Sequence, residues 1–271
     1  MISERGELSY NSVLITGASG GIGEEFARQL VSRCQQMILV ARREDRLRDL
    51  AADLKQQNPS LDVLYFAVDL ISSSDREKFF SMLDSNGARP DLLINNAGMG
   101  DYQRFADSEW EKINSMMQLN MTALTHLTHR LIPQMRERGP GGGAIINVSS
   151  LASILPMPEF AVYAATKAYV TSFSEALRLE LKGDDIPVMA LCPGPVHTEF
   201  GSVAMPADAK ELPGREMFYV DKSVVVKQAL IGLARNKARV YPGWKVALAA
   251  AAISLLPLAV LRLAMAKRLN D

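Results

Sequence analysis

A tyrosine and a lysine four residues apart are the residues of this sequence whose types and spacing most directly suggest catalysis. Tyr163 and Lys167 lie in VYAATKA, a stretch with a helical pattern, so both side chains fall on one helix face. A phenol with its usual pKa of about 10 is a poor acid or base at neutral pH, and a neighbouring ammonium lowers that pKa. We therefore expect Lys167 to bring the pKa of Tyr163 toward the working range, although such a pair also occurs by chance on helix surfaces.

The residues around this pair are mainly apolar. Ser150 ends the preceding predicted strand, where its hydroxyl could donate a hydrogen bond to a carbonyl oxygen of the substrate. The segment LASILPMPEFAV follows it, and flexible methionines can adapt to varied shapes. The predicted substrate contacts are Ala152, Leu155, Met157, Met205, Met217 and Phe218. This composition favours a lipophilic ketone, such as a 3-oxoacyl chain or a steroid-like molecule, although these residues could equally belong to the core.

A glycine-rich loop near the N-terminus predicts a phosphate site. The run TGASGGIG (16–23) follows a predicted strand and leads into a predicted helix, with glycines at positions 17, 21 and 23. Glycine lets the backbone turn tightly, and the helix N-terminus attracts a pyrophosphate. The spacing differs from G-x-G-x-x-G, but strand, glycine loop and helix form the context that dinucleotide binding requires.

The end of the second predicted strand indicates which dinucleotide binds. NAD enzymes usually place an acidic residue there, whereas this chain has Arg42 and Arg43. A guanidinium can pair with a 2′-phosphate, so the sequence predicts NADP(H). Two solvated arginines at the start of a charged helix are the alternative.

The elements that would position these residues alternate along the first two hundred residues. Apolar runs of strand length are separated by segments of helix length; the runs are SVLITG, QMILVAR, DVLYFAVDL, DLLINNAG, GAIINVSS and PVMALCPG. Nearly continuous apolar strands alternating with helices predict a parallel sheet covered on both faces. The expected fold class is α/β, a Rossmann-like doubly wound sheet in one domain with a helical C-terminal extension.

The pattern changes after residue 200. We expect a catalytic domain over residues 1–243 with a loop or lid at about 201–220, a helix over 221–237 and a short strand at 239–243. Residues 244–271 form an apolar helical extension. Its stretch 247–265 has the length of a membrane span, but Arg262 opposes insertion and Pro257 divides the run into two helical pieces. Packing against the enzyme combined with shallow membrane contact is the favoured interpretation.

Composition limits the remaining classes of function. The chain has 271 residues, with 30 Lys plus Arg balanced by 30 Asp plus Glu, so nothing favours nucleic acid as a partner. Cys34 and Cys192 are too few and too far apart for a disulfide framework or a zinc site. The three histidines are interpreted as surface, interface or loop residues rather than metal ligands; they are His126, His129 and His197. A polar N-terminal stretch without a signal-peptide pattern suggests a cytoplasmic protein, peripheral at the membrane through its tail.

Five motifs together resemble the short-chain dehydrogenase/reductase family over about residues 10 to 240. They are the glycine loop, NNAG (95–98), NVSS (147–150), YAATK (163–167) and PGPVHT (193–198). The resemblance implies a catalytic tetrad of Asn120, Ser150, Tyr163 and Lys167. Tyr163 would transfer the proton, Ser150 would orient the carbonyl, Lys167 would lower the tyrosine pKa and hold the nicotinamide ribose, and Asn120 would anchor a water.

The resemblance also implies which residues bind the cofactor. Asp69 would be the acid on the adenine side, Asn96 to Gly98 would flank the adenosine, and Thr198 would reach the nicotinamide. The full expected set is Thr16, Gly17, Ser19, Gly21, Ile22, Gly23, Arg42, Arg43, Asp69, Leu70, Asn96, Ala97, Gly98, Tyr163, Lys167, Pro193, Gly194, Val196 and Thr198.

The family resemblance implies a homodimer or homotetramer with the helices that carry Asn120 and Tyr163 at the interface. The expected activity is NADPH-dependent reduction of a ketone, or the reverse oxidation of a secondary alcohol. A catalytically silent NADP-binding regulatory or scaffold protein is the alternative.

Overall fold

Seven parallel strands form one sheet in the computed structural model, which describes residues 9–205 and 216–268. Their spatial order is β3-β2-β1-β4-β5-β6-β7. The strands are β1 (Tyr10–Thr16), β2 (Cys34–Ala41), β3 (Asp62–Ala67), β4 (Leu92–Asn95), β5 (Ala144–Val148), β6 (Val188–Leu191) and β7 (Arg239–Val240). This order confirms the predicted Rossmann-like sheet.

Helices cover both faces of the sheet. They are α1 (Gly21–Leu30), α2 (Glu44–Gln57), α3 (Ser73–Ser85), α4 (Trp110–Met117), α5 (Leu124–Glu137), α6 (Ala161–Glu180), α7 (Glu199–Ala204), α8 (Lys222–Ala234), α9 (Trp244–Leu255) and α10 (Leu258–Arg268). A π-helical turn, Gln118–Ala123, joins α4 to α5.

Burial on both faces explains why the strands are nearly continuous in apolar residues. Phe26 of α1 and Leu230 of α8 pack in a core on one face of the sheet. Phe79 of α3 and Leu131 of α5 pack in a second core on the other face. Every residue of β4, β5 and β6 is buried. A strand with two covered faces has no solvent side, so it shows no polar alternation.

The strand order places the site at the carboxyl ends of β1 and β4. In the sheet, β2 and β3 lie on one side of β1, and β5 to β7 lie on the other side of β4. The chain segments that follow β1 and β4 therefore lead to opposite faces of the sheet, and a crevice opens between them at the carboxyl ends of these two strands. The glycine loop after β1 and the NNAG segment at the end of β4 both lie there.

The segment expected to be a loop at 201–220 begins differently. Helix α7 spans Glu199–Ala204, because the Thr198 hydroxyl accepts a hydrogen bond from the backbone N–H of Phe200 and so caps its first turn. The prediction of a loop from residue 201 was thus wrong for residues 201–204. Residues 206–215 of this predicted lid lie outside the described residues.

The apolar C-terminal segment forms two helices, as Pro257 predicted. Helices α9 and α10 meet at 117°. Within the described residues, no single helix has the length and hydropathy to cross a membrane, whereas this bent pair meets both conditions only when taken together. Val246 and Ala250 of α9 are fully or nearly fully buried, and α9 contacts residues 151–154 and 216–218. The extension therefore packs on the catalytic domain beside the segment that follows Ser150.

Candidate active site

The glycine loop forms a concave stretch of backbone, the glycine cradle, which residues larger than glycine would block. Gly17 and Gly21 have φ of +66° and +58°, values that favour glycine. A Cβ at Gly23 would lie 2.3 Å from the carbonyl oxygen of Gly17. The loop leads directly into α1, whose first backbone N–H groups are free to bind an anion. This geometry fits the pyrophosphate of a dinucleotide, and Ile22 supports it by packing on the core below.

Thr16 and Asn96 hold this loop against β4. The Thr16 hydroxyl accepts hydrogen bonds from the N–H groups of Asn96 and Ala97, both at 3.0 Å. The Asn96 amide donates to the carbonyl oxygens of Thr16 at 2.9 Å and Gly17 at 3.3 Å. Both side chains were predicted to bind cofactor; in the structure they shape the cradle that would do so.

The end of β2 places one of the two predicted arginines beside the cradle. The Arg43 guanidinium donates to the hydroxyl of Ser19 at 3.2 Å and to its carbonyl oxygen at 2.9 Å. It also pairs with Glu199 at 2.7 Å. This guanidinium lowers the pKa of the Glu199 carboxyl below its usual value. Both arginines are exposed, but Arg43 contacts Ser19 of the glycine loop, so it is the better placed of the two to meet a 2′-phosphate.

The expected adenine-side residues follow β3. Asp69 Oδ1 accepts a hydrogen bond from the N–H of Ile71 at 3.0 Å, which orients its carboxylate. Leu70 is buried, and its carbonyl oxygen accepts from the buried Arg76 at 2.6 Å. Arg76 also donates to Nδ1 of His126 at 3.2 Å. His126 therefore helps to position the loop that follows β3.

Tyr163 and Lys167 lie on one face of α6, and both are buried. Lys167 Nζ donates to the carbonyl oxygen of Val148 at 2.9 Å and lies 5.7 Å from the centre of the Tyr163 ring. A Cβ at Gly98 would be 3.3 Å from Lys167 Nζ, so the Gly98 backbone lies directly beside the ammonium. The ammonium is thus held by the end of β5 and faces the crevice beside NNAG.

The expected lowering of the tyrosine pKa is not what the structure shows. Burial raises the pKa of Tyr163 to about 12, and a hydrogen bond with Ser150 offsets part of that rise. Burial lowers the pKa of Lys167 from 10.5 to about 8. The prediction was wrong because desolvation of the phenol is the dominant cause of the shift, and the Lys167 ammonium donates to the carbonyl oxygen of Val148.

Ser150 and Asn120 frame the pair. Ser150 Oγ accepts a hydrogen bond from the N–H of Ala152 at 3.1 Å, which fixes the hydroxyl beside Tyr163. Asn120 lies in the π-helical turn, a feature often found at functional sites. Its amide donates to Met99 O at 2.9 Å and to Thr166 Oγ1 at 3.0 Å, and its Oδ1 accepts from Met99 N at 2.9 Å. Asn120 therefore locks the segment after β4 onto α6, while its expected role in anchoring a water stays a prediction.

An aromatic cluster surrounds Tyr163. Its ring centre lies 4.3 Å from that of Phe160 and 5.5 Å from that of Phe200, and Phe160 lies 5.5 Å from Tyr102. Sequence reasoning missed all three neighbours. Phe160 precedes Tyr163 by three residues, at the N-cap of α6, so its closeness in sequence could have found it. Phe200 comes from α7, and no local pattern connects it to Tyr163.

The structure divides the predicted substrate residues into two groups. Ala152 and Met157 pack in the cluster around Tyr163, and Met99 and Met116 join them without having been predicted. Leu155, Met205 and Phe218 are half-buried outside this cluster. Met217 is 51% exposed, so the structure does not bring it to the site.

The loop after β6 lies across the crevice. The carbonyl oxygen of Pro193 accepts from Leu151 N–H at 2.8 Å, which joins this loop to the segment that follows Ser150. A Cβ at Gly194 would be 2.9 Å from Val246 of α9. A Cβ at Gly21 would be 3.3 Å from the Thr198 methyl, so Thr198 lies against the glycine loop, and its contact with the nicotinamide stays a prediction. Val196 packs on the core.

The remaining histidines and cysteines contribute nothing to a metal centre. His129 is exposed, and exposed His197 stacks on Tyr219 with ring centres 4.2 Å apart. Cys34 and Cys192 are buried free thiols. Across residues 9–205 and 216–268, no three His, Cys, Asp or Glu side chains are grouped as metal ligands.

Comparison with known proteins places these features in a family. The family model described as short chain dehydrogenase matches residues 11–208. The chain is 34% identical to 11-beta-hydroxysteroid dehydrogenase-like 2 of Arabidopsis thaliana over 236 residues, which is 86% of this chain and 73% of that protein. It spans 59% and 51% of the length of two other plant relatives.

Two solved structures share the fold along nearly the whole chain. A short-chain dehydrogenase from Sphingobium yanoikuyae in complex with NADPH is 34% identical with a TM-score of 0.79, covering 90% of this chain and 92% of that one. A bulky-bulky ketone specific alcohol dehydrogenase from Comamonas testosteroni is 28% identical with a TM-score of 0.74, covering 95% and 92%.

Proposed function

Because this chain belongs to the short chain dehydrogenase family, we propose that it is an NADP(H)-dependent oxidoreductase that interconverts a ketone and a secondary alcohol on a lipophilic substrate. The observation that carries the proposal is the buried Tyr163, which lies beside Ser150 and four residues from Lys167 and is enclosed by aromatic and methionine side chains.

The residues around the crevice fit a nicotinamide dinucleotide phosphate. The glycine cradle would hold the pyrophosphate, and Arg43 would pair with the 2′-phosphate. The relative in complex with NADPH supports this choice. When bound, the nicotinamide supplies or accepts the hydride. Lys167, whose ammonium lies beside Gly98, would donate hydrogen bonds to the ribose.

The protonation state of Tyr163 favours reduction at neutral pH. With a pKa of about 12 the phenol keeps its proton, and a proton donor is what the oxygen of a reduced carbonyl needs. Ser150 would hold that carbonyl oxygen at the phenol. The reverse oxidation needs the phenolate, so it should accelerate as the pH rises.

A lipophilic substrate suits the lining of the site. The side chains packed around Tyr163 are apolar or aromatic, including Phe160 and Phe200 from two different elements. The similarity to proteins named for a hydroxysteroid and for bulky-bulky ketones points the same way. The apolar surface would bind such a substrate mainly by removing its rings from water. Hydrogen bonds from Ser150 and Tyr163 would then orient its carbonyl group.

Replacing the tyrosine hydroxyl tests the chemistry. We expect Tyr163→Phe to abolish NADPH oxidation with long-chain or steroid-like ketones while NADPH still binds, as measured by fluorescence titration. Tyr169→Phe is the matched control, since that hydroxyl lies on the same helix but pairs with Thr125 at 2.8 Å. Substantial turnover by Tyr163→Phe would refute the assignment, and binding without turnover by the wild type would favour a silent dinucleotide-binding protein. A preference for short polar ketones would refute the lipophilic substrate.

The exposed face of α9 and α10 supports a second proposal, shallow contact with a lipid surface. Trp244, Leu255 and Leu263 are 73%, 86% and 73% exposed, and every charged residue of 244–268 is basic. Apolar side chains flanked by cations suit an anionic bilayer surface. The Leu255→Ser/Leu263→Ser variant should lose flotation with phosphatidylserine vesicles, whereas Leu179→Ser, on the exposed face of α6, should keep it. Equal flotation of both variants, or none by the wild type, would refute the contact.

The outer face of α6 supports the proposal of a homodimer or homotetramer. Tyr169 is 39% exposed and stacks on Phe173, and Leu179 is 74% exposed. Light scattering should give a multiple of the 29.7 kDa chain mass. Tyr169→Glu should reduce it to the monomer, and a monomeric wild type would refute the proposal.

A further inference from the structure

Three consecutive residues at the start of α7 contact three different parts of the site. The Thr198 methyl lies against Gly21 of the glycine loop. Glu199 pairs with Arg43 at the end of β2. Phe200 packs on the ring of Tyr163. Because these three residues are consecutive, a displacement of one of them also changes the contacts of the other two.

All three nitrogens of the Arg43 guanidinium donate a hydrogen bond in this arrangement. Its Nη1 donates to Glu199 at 2.7 Å, while Nε and Nη2 donate to the hydroxyl and the carbonyl oxygen of Ser19. Glu199 also lies 3.8 Å from Arg46, in the first turn of α2. A phosphate that pairs with Arg43 therefore meets a guanidinium that already holds a carboxylate, and the two anions compete for the same positive charge.

A phosphate displaces the carboxylate more readily than the serine. Both anions are negative and would stand on the same guanidinium, so they repel each other, whereas the serine oxygens carry no net charge. A phosphate with a charge near −2 outcompetes a carboxylate with a charge of −1. The Arg43–Glu199 pair is also half-exposed, so it contributes little stability that would resist the exchange.

We propose that Glu199 competes with the cofactor's 2′-phosphate for Arg43, so that phosphate binding releases the start of α7 and withdraws Phe200 from Tyr163. The inference rests on the proposed NADP(H) dependence. Glu199 is then a specificity-determining residue that distinguishes the two dinucleotides. A cofactor without the 2′-phosphate leaves the Arg43–Glu199 pair in place and Tyr163 covered.

The position of Phe200 gives this exchange a consequence for the substrate. Tyr163 is 7% exposed, and Phe200 is one of the rings that cover it. The far end of α7 is held by a hydrogen bond from Tyr102 N–H to Ala204 O at 2.7 Å. With that end held, release of Glu199 turns the first turn of α7 outward and exposes the phenol that a ketone must reach.

Dinucleotide binding to the wild type and to variants tests the competition. We expect Glu199→Gln to tighten NADPH binding about two- to fivefold, the range that an exposed ion pair spans, and to leave NADH binding unchanged. Glu44→Gln is the matched control, since it removes the same charge from the residue next to Arg43. In an Arg43→Ala background, Glu199→Gln should have no effect on NADPH.

Amide hydrogen exchange tests the coupling without any turnover. The N–H of Met205 donates to Gly201 O and reports on α7. Adenosine 2′,5′-bisphosphate should accelerate its exchange in the wild type, whereas AMP should not. In Glu199→Gln the exchange should be fast before any ligand is added.

The outcomes separate this inference from the proposed function. If neither NADPH nor adenosine 2′,5′-bisphosphate binds the wild type, the NADP(H) dependence itself is wrong. If NADPH binds through Arg43 but Glu199→Gln binds it equally or more weakly, the competition is refuted and the proposed function stands. Unchanged exchange at Met205 on phosphate binding refutes the release of α7.

Discussion

Lys167 is a buried ammonium, so it should make the stability of this protein depend on pH. Its side chain is 5% exposed, and Nζ donates to the carbonyl oxygen of Val148 at 2.9 Å. Burial lowers its pKa from 10.5 to about 8, with an opposing electrostatic effect of Cys192. The folded protein therefore releases this proton at a lower pH than the unfolded chain does.

The sign and size of the effect follow from proton linkage. Between pH 8 and 10.5 the unfolded chain binds more protons at this site than the folded protein, so the free energy of unfolding rises with pH. A pKa lowered from 10.5 to about 8 corresponds to about 3 kcal/mol over the whole window. Below pH 8 the site is charged in both states, and the destabilisation is constant.

Urea denaturation of wild type and Lys167→Met from pH 7 to 9.5 measures the effect. The difference in unfolding free energy, wild type minus variant, should increase by about 2 kcal/mol between pH 8 and 9.5. Loss of the hydrogen bond to Val148 adds an offset that does not vary with pH, so the slope is the readout. Lys227→Met, at an exposed position of α8, should show no slope.

The buried thiols and Tyr10 also titrate with raised pKa values, which removes stability as the pH rises, but they are common to both proteins. A difference that stays flat with pH would show that Lys167 keeps its ordinary pKa. A difference that falls with pH would show that an unrecognised anion raises it. Either result would refute the description of the ammonium as desolvated, with the Val148 carbonyl oxygen as its hydrogen-bond partner.

Three further substitutions test the glycine cradle, the Asn120 lock and the cover on Tyr163. Gly23→Ala should abolish NADPH binding in a fluorescence titration because its Cβ would lie 2.3 Å from Gly17 O, whereas Gly183→Ala, in open space, should bind normally. Asn120→Ala should lower the free energy of unfolding by about 1–3 kcal/mol in urea denaturation, because polar groups of Met99 and Thr166 lose their hydrogen bonds to Asn120. An unchanged denaturation midpoint would show that Asn120 does not hold the segment after β4 on α6. Phe200→Ala should lower the pKa of Tyr163 from about 12 toward 10 in an ultraviolet phenolate titration corrected with a Phe200→Ala/Tyr163→Phe double variant, because burial is what raises it. A pKa that stays at 12 would show that Phe200 does not desolvate the phenol.

The packing around Tyr163 supports the proposed lipophilic substrate. Lys167 is anchored by a backbone contact with Val148, and the side chains packed around Tyr163 are apolar or aromatic. Under the proposed function, Ser150 and Tyr163 would be the polar groups that orient the carbonyl. Specificity for one ketone over another would then depend on the shape of the apolar wall, to which α7 contributes Phe200 and Ala204.

The extension after β7 shows how far local pattern carries a prediction. Pro257 ends a helix because it has no N–H to donate, so the break between α9 and α10 could be predicted from one residue. The 117° angle at that break could not be predicted, since it depends on where Val246 and Ala250 pack. The packing of Val246 against Gly194 makes the extension part of the wall near the site.

Local patterns in the sequence determined the fold and the types of residue at the candidate site. Continuous apolar runs predicted β1 to β6 because strands covered on both faces have no polar side. The glycine loop needs positive φ values that only glycine adopts easily, so it was visible in residue types alone. The spacing of Tyr163 and Lys167 determined that they share a helix face.

Only the tertiary structure decided how these groups behave. The pKa of Tyr163 rises rather than falls because the phenol is buried, and one of the rings packed against it, Phe200, comes from the separate helix α7. The choice of Arg43 over Arg42 depends on the positions of Ser19 and Glu199, which are 24 and 156 residues away from it. Sequence spacing describes a helix face or a turn, whereas contacts across such separations exist only once the sheet has brought its loops to one edge.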